Sequence, residues 1–279
     1  MGGSEVDDVV ARLEGMLTGI DRLAVAFSGG VDSSLLLALS ARVLGRDRVL
    51  AILGVSPSLP EHERAAAHEV ARHVGVPVVE VVTREGERAD YRRNGPDRCF
   101  HCKDELFTRI GDEVLAEYRV DAVAYGENAD DALRPDRPGS RAAAAHRVLR
   151  PLAGLGLRKT DVRRLARACG LPCADKPAAP CLASRIPHYS EVTPAKLAQI
   201  EQAEGALRQL GFADFRVRHH GEVARIELPA EDLVRAVSTP IREAVHAGVL
   251  AAGFRFVTLD VAGIQSGAFT LPLVQVTRA

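Results

Sequence analysis

Leu23-Ala24-Val25-Ala26-Phe27-Ser28-Gly29-Gly30-Val31-Asp32-Ser33-Ser34 runs directly into the apolar stretch Leu35 to Val43. The first five residues are a short apolar run, the pattern of a buried strand. The stretch after Ser34 reads as an apolar helix. Between them, two glycines let the backbone turn sharply and approach an anion. The free N–H groups at the helix start face that anion, with the favourable end of the helix dipole behind them. Ser28, Ser33 and Ser34 can add hydroxyl donors. Asp32 would repel phosphate unless it holds Mg²⁺ or a backbone N–H. The string has no lysine and is not G-x-x-x-x-G-K-[ST], nor is it G-x-G-x-x-G. A plain strand–turn–helix capped by Ser or Asp is the bland alternative.

Outward from this loop, strands and helices alternate. Val6, Val9, Val10, Leu13, Met16 and Leu17 recur at helical spacing ahead of it. Behind it come a strand over 49–55, a helix over 61–74, a strand over 76–82, a helix over 103–118 and a strand over 122–125. This order predicts an α/β fold, a Rossmann-like doubly wound parallel sheet with ligands at the carboxyl ends of its strands. Residues 126–159 crowd Asp130, Asp131, Arg134, Asp136, Arg137 and Arg141 into one stretch, a long charged loop of the functional or mobile kind. An arginine-rich helix over 161–169 follows, and then Pro172, Pro177, Pro180 and Pro187 punctuate a connecting segment. From Thr193 the pattern changes: a helix over 194–210, strands over 215–218 and 224–228, a helix over 231–247 and a strand over 254–259. We therefore expect a domain over 1–187 and a smaller C-terminal α+β domain over 188–279, for substrate binding or oligomerisation.

The bulk numbers agree with a globular chain of two domains. It has 279 residues, 47% hydrophobic and 26% charged, and domains hold about 100–200 residues. Lys and Arg number 36 against 37 Asp and Glu, so no overall field draws it to nucleic acid or membrane. Aromatics make up 4% with no Trp, which counts against a single-strand binder that stacks bases. The start Met-Gly-Gly-Ser-Glu-Val-Asp-Asp has no basic or apolar segment of a signal peptide, and no apolar run nears the roughly 20 residues of a membrane span. A cytoplasmic protein is expected. Its five cysteines then suggest metal or redox chemistry ahead of disulfides.

The loop resembles the PP-loop of the ATP-pyrophosphatases, which cleave ATP to AMP and pyrophosphate. Further strings narrow the resemblance. They are Tyr125-Gly126-Glu127-Asn128-Ala129-Asp130-Asp131 with Arg137-Pro138-Gly139-Ser140-Arg141, Leu155-Gly156-Leu157-Arg158-Lys159-Thr160-Asp161, and Gly170-Leu171-Pro172 with Asp175-Lys176-Pro177 and Cys181-Leu182-Ala183-Ser184-Arg185-Ile186-Pro187. With Arg216-Val217-Arg218-His219-His220-Gly221 they resemble the LarE family, the ATP-dependent sulfur transferases of nickel-pincer nucleotide synthesis, over nearly the whole chain. The resemblance implies that ATP adenylates a carboxylate of a pyridinium dicarboxylate mononucleotide, and that sulfur then displaces AMP to give a thiocarboxylate. Ser28, Gly29, Gly30, Asp32, Ser33, Ser34 and Gly126 are the expected ATP-binding residues, with Asp32 on Mg²⁺. Ser184, Arg185, Glu204, Arg216 and Arg218 are the expected substrate-binding residues. Arg216 and Arg218 alternate on a strand and share a face, and a solvated strand face is their bland reading. For Lys159 and Lys176 a surface role is the plain reading.

Cys99 and Cys102 form a C-x-x-C with Phe100 and His101 between them, and Cys181 lies far off in the block expected to line the site. The resemblance implies that the three thiolates Cys99, Cys102 and Cys181 hold a [4Fe-4S] cluster whose fourth iron carries the sulfide. Members with only the last cysteine give up its own sulfur. From the residues alone a zinc site with His101, a redox dithiol or unligated thiols stay open. Cys169 and Cys173 read as small buried apolar residues. The chain departs from the family where His188-Tyr189-Ser190 replaces a commoner Tyr-Gly, and where Gly263-Ile264-Gln265-Ser266-Gly267 replaces Tyr-Arg-Ser-Gly. Competing functions are a tRNA thiolase, an amidating synthetase and a non-catalytic nucleotide-binding iron–sulfur protein. A sulfide or sulfur-donor protein is the expected partner, with no nucleic acid and no membrane, and a homo-oligomer the expected assembly.

Overall fold

The structure, a computed structural model, describes residues 2–133 and 138–264. They form α1 (Gly2–Met16), β1 (Leu23–Phe27), α2 (Val31–Leu44), β2 (Val49–Val55), α3 (Glu61–Val74), β3 (Val78–Val82), α4 (Ala89–Arg92), α5 (Arg98–Arg109), β4 (Ala122–Tyr125), α6 (Ala129–Ala132), α7 (Pro138–Ala145), α8 (Pro151–Gly154) and α9 (Lys159–Ala168). The chain goes on through α10 (Pro194–Gln209), β5 (Arg216–His220), β6 (Val223–Glu227), α11 (Ala230–Val237), α12 (Ile241–Ala251) and β7 (Phe256–Leu259). Two compact units result, one of residues up to 85 with 99–179, the other of 86–98 with 180 onward.

The first unit is built on a parallel sheet in the order β3-β2-β1-β4. Every residue of β1 is buried, because helices cover both faces of the sheet. Leu23, Val25 and Phe27 point into a core with Leu13 of α1, Leu35 and Leu39 of α2, Val70 of α3 and Leu165 of α9. The alternate residues Ala24 and Ala26 face a second core with Phe107 of α5, Ile110 and Val114. This is the doubly wound α/β arrangement that the alternation of strands and helices predicts. Burying one such large side chain contributes about 1.5–3 kcal/mol. α2 is apolar nearly all round and buried on most sides, as a central helix must be.

The elements differ from the sequence expectation in places that matter. α2 starts at Val31 rather than Leu35, so Val31 to Ser34 are its first turn. α5 starts at Arg98 rather than Lys103 and runs on after Arg109 as a π-helical turn over Ile110–Val114; the C-x-x-C therefore lies at its start. Among its described residues the charged stretch 126–159 holds three short helices, α6, α7 and α8. Asn128 caps α6, its side chain accepting from the Asp131 N–H, which explains why a chain that reads as loop turns helical there. Arg134, Asp136 and Arg137 lie outside the described residues, as do Gln265, Ser266 and Gly267.

The second unit carries a mixed sheet in the order β5-β6-β7, with β5 antiparallel and β7 parallel to β6. Phe212, Phe215, Val217, Ile226, Val245, Val249 and Phe254 form its core. Thr193 caps α10 by accepting from the Lys196 N–H at 3.3 Å. A Cβ on Gly248 would come within 2.7 Å of the Ala206 Cβ, so α12 and α10 touch where neither carries a large side chain. The single helix expected over 231–247 is two, α11 and α12, because Pro240 lacks the N–H that a continuous helix needs. Among the described residues no helix is long and apolar enough to cross a membrane.

Two side chains in these units give stability predictions. Tyr189 holds a left-handed backbone, φ +64, and the residue is 66% exposed. That conformation costs a non-glycine residue about 1–2 kcal/mol, and glycine loses about 0.5–1 kcal/mol in entropy. Tyr189→Gly is thus expected to raise stability by about 0.5–1 kcal/mol in denaturant melts; a loss would mean that the ring's packing beside His188 outweighs the strain. Lys176, expected at the surface, instead pairs with Glu63 of α3 at 2.6 Å. Burial would push the Glu63 carboxyl up, but hydrogen bonds from His62 and Lys176, with their charges, hold it at about 2 against an ordinary 4.5. This support is whole above pH 4.5 and is lost as pH falls towards 2. Glu63→Gln should therefore be less stable than wild type at neutral pH, and the gap should close on acidification through that window.

Candidate functional site

The loop after β1 is tied by its own hydroxyls. Ser33 Oγ accepts from the Ser28 N–H at 3.2 Å and donates to the Gly30 carbonyl at 3.1 Å. Ser28 and Ser33 hydroxyls lie 3.2 Å apart. Gly29 is left-handed at φ +69, and a Cβ there would strike Ala67 of α3 at 2.8 Å. Gly30 is extended, φ −75 and ψ 160, just ahead of α2. The first-turn amides of α2 therefore have no helical partners of their own. Gly126, just past β4, lies against this turn: a Cβ on it would fall 2.7 Å from Ser33 N and 2.9 Å from the Asp32 carbonyl carbon. Ser34 is fully buried, and its hydroxyl has no hydrogen-bond partner among the described residues.

Asp32, on the first turn of α2, is neutralised by residues from the far side of the sequence. Its Oδ1 accepts from Asn128 Nδ2 at 3.0 Å, and its Oδ2 is paired with the ammonium of Lys159. Asn128 is itself held by Asp131 at 2.9 Å. The Lys159 N–H donates to Asp130 at 2.8 Å, fixing the start of α9. Glu127 is fully buried; the Ser140 hydroxyl donates to it, and Arg150 stands 3.5 Å from its second oxygen. Lys159, its side chain still 39% exposed, joins the candidate site through this ion pair, which the surface reading did not anticipate. Lysine at the start of a helix gives no sequence signal, because the partner is on a distant segment. Asn128 and Asp131 do give one, as a capping pair at N-cap and N3 spacing.

Cys99 and Cys102 lie near the start of α5, three residues apart and so on neighbouring positions of one face. Cys99 is exposed and Cys102 half-buried. Cys169 and Cys173 differ: Cys173 is buried, and burial pushes the Cys169 thiol up despite the charge of Arg42, so Cys169 is no ready thiolate. No three His, Cys, Asp or Glu side chains gather to ligate a metal among the described residues.

In the second unit Cys181 stands at the head of a short 3₁₀ turn, Leu182–Arg185. Its carbonyl accepts from the Ser184 N–H at 3.0 Å and the Ser184 hydroxyl at 2.7 Å. Arg185 is only 4% exposed. It spans Glu204 with Nε at 2.8 Å and Nη2 at 3.2 Å, and reaches the Pro180 carbonyl at 2.6 Å. Glu204 also accepts from the Val217 N–H at 3.0 Å. Arg218, 5% exposed, donates to the Ser184 carbonyl at 3.0 Å and to Glu227 at 2.8 Å. Arg216 bonds Asp214 at 2.8 Å. Arg185, Glu204 and Arg218 thus brace the turn that carries Cys181. Next to Arg218 on β5, burial and then the charge of Lys196 lower the His219 pKa, and burial and then Arg225 and Arg218 lower that of His220. Both imidazoles are neutral at pH 7.

Comparison with known proteins places this architecture. The asparagine synthase family model matches residues 16–118, which include the phosphate loop and the C-x-x-C. A protein of Synechocystis sp. named only as uncharacterised is 41% identical over 89% of this chain and 91% of its own. An uncharacterised protein of Methanocaldococcus jannaschii is 28% identical over 78% of this chain and 81% of its own. The pyridinium-3,5-bisthiocarboxylic acid mononucleotide synthase of Lactiplantibacillus plantarum is 35% identical over 92% of this chain and 92% of its own. Likeness of that extent shows the family, and the protein belongs to the LarE family of PP-loop, ATP-dependent sulfur transferases.

Proposed function

We propose that the protein adenylates a carboxylate of a pyridinium dicarboxylate mononucleotide and replaces the AMP with sulfur, giving a thiocarboxylate. The observation that carries this reading is the tight turn at the start of α2, where Gly29 packs on Ala67 and Gly126 on Ser33 with no room for a Cβ at either. It leaves backbone N–H groups bare for an anion at the carboxyl edge of a parallel sheet. The Ser28 and Ser33 hydroxyls add donors to the phosphates of ATP. Asp32 is the proposed Mg²⁺ ligand, and Lys159 its counter-ion, able to turn to a phosphate when the metal arrives. A carboxylate oxygen of the substrate attacks the α-phosphorus, and the bond to the bridging oxygen breaks. Its electrons leave with pyrophosphate. The acyl-adenylate is then open to sulfur, which attacks the carbonyl carbon as AMP departs with the C–O electron pair.

Cys99, Cys102 and Cys181 are the proposed cluster ligands, and the donor set fits: soft thiolates are what a [4Fe-4S] cluster takes. When bound, the cluster supplies the sulfide to be transferred. Two thiols on one face of a helical turn support this over unligated cysteines. Ser184, Arg185, Glu204, Arg216 and Arg218 are proposed to form the mononucleotide end of the site, Arg185, Glu204 and Arg218 chiefly by fixing the Cys181 turn. Sulfide or a sulfur-donor protein would reload the site, in the cytoplasm.

Anaerobic purification with iron and acid-labile sulfide analysis tests the sulfur source. About four irons per chain are expected in wild type, lost in Cys99→Ala, Cys102→Ala and Cys181→Ala. No iron after reconstitution would overturn the cluster and leave sacrifice of Cys181 sulfur. ATP–pyrophosphate exchange tests the first half-reaction. Gly126→Ala should abolish exchange with the far-UV spectrum kept, and Lys159→Ala should slow it about 10- to 100-fold, the scale of losing one aimed charge. Normal exchange in both variants would refute the assignment of this loop to ATP.

A further inference from the structure

The segment that follows α4 makes a left-handed, fully buried residue of Asn94, at φ +57 with 0% exposure. Asparagine tolerates this backbone better than most residues, but nothing in a turn requires it to be buried. Its side chain accounts for the burial. The Nδ2 amide faces three carbonyls, of Ile186 at 3.2 Å, Pro187 at 2.8 Å and Ser190 at 3.0 Å. Its Oδ1 accepts from Arg98, whose same Nη1 also reaches the Ala183 carbonyl at 2.9 Å. The Asn94 carbonyl accepts from the Tyr189 N–H at 3.1 Å. Arg98 is itself buried, at 8% exposure. All of these groups belong to the second unit.

The carbonyls around Cys181 are thus taken up by side chains more than by a ladder. Arg185 holds those of Pro180 and Cys181, Arg98 that of Ala183, Arg218 that of Ser184, and Asn94 those of Ile186, Pro187 and Ser190. A 3₁₀ turn of four residues has almost no cooperativity of its own. Its shape is set by these donors.

We propose that Asn94 and Arg98 are positioning residues for the Cys181 thiol: together they lock the turn 181–190 in the one conformation from which that sulfur is presented. The inference rests on the reading of Cys181 as part of the sulfur-delivering site. Only an amide does what Asn94 does here. It needs two hydrogens for the carbonyl side and one acceptor for Arg98. Aspartate would offer the acceptor but turn a bare oxygen towards three carbonyl oxygens. Glycine would keep the left-handed backbone and delete every side-chain bond.

The test is the rate at which iodoacetamide labels each cysteine of the full-length, reduced, chelator-stripped protein, read peptide by peptide by mass spectrometry. Buried Cys173, which belongs to the other unit, reports any global opening. In Asn94→Gly and Asn94→Asp, Cys181 should label about tenfold faster or more, the scale of losing several hydrogen bonds from a local structure. Arg98→Lys, which keeps the charge but loses the fork, should move Cys181 in the same direction by less. Cys173 should not change, and thiocarboxylate formation should fall. Cys181 labelling within about twofold of wild type, a parallel rise at Cys173, or failure of all three variants to fold would overturn the proposal. If Cys181→Ala still transfers sulfur, the functional reading of Cys181 falls, while the labelling rates still decide whether Asn94 and Arg98 hold its turn.

Discussion

Two places where the backbone carries no side chain govern the first unit. Gly29 lets the chain leave β1 left-handed beneath Ala67, and Gly126 lets the end of β4 close onto the first turn of α2. Much else follows from the register. Ala26 of β1 lies opposite Tyr125 of β4, so the next residues of the two strands emerge side by side at the carboxyl edge. One set becomes the phosphate loop. The other, Glu127 and Asn128, reaches Asp32. The hydrogen bond from Asn128 to Asp32 is thus a consequence of parallel pairing and a missing Cβ, and any residue larger than glycine at 126 must move α2 or the loop.

The second unit solves a different problem. A stretch punctuated by Pro180 and Pro187 cannot build a regular ladder, because proline supplies no N–H. Its carbonyls still need donors once they are buried. Arg98, Arg185, Arg218 and Asn94 supply them. Buried guanidinium groups are tolerated there because Glu204 and Glu227 neutralise two of them at 2.8 Å, and such pairs specify one arrangement more than they stabilise it.

Much of the fold was legible in one dimension. β1, β2, α3 and β4 were readable to the residue, because an apolar run between turn signals or a helical face with a capping glycine leaves few alternatives. The loop was legible for the same reason. What stayed hidden was pairing across the sequence. Lys159 stands at a helix start, where lysine is ordinary, and only folding puts Asp32 beside it. Asn94 sits in a polar stretch among arginines, and its left-handed backbone leaves no trace in the spacing of residues. Arg185 and Arg218 were readable as candidates but not as buried; for Arg218, alternation on β5 fixes a face and not what covers it.

The pairing of Lys159 with Asp32 has a consequence for how a metal can enter. A divalent cation seeking Asp32 would have to displace the Lys159 ammonium ion from it. A cation that comes already chelated by a polyphosphate brings the replacement partner with it. The exchange then trades one set of opposite charges for another without leaving any of them bare.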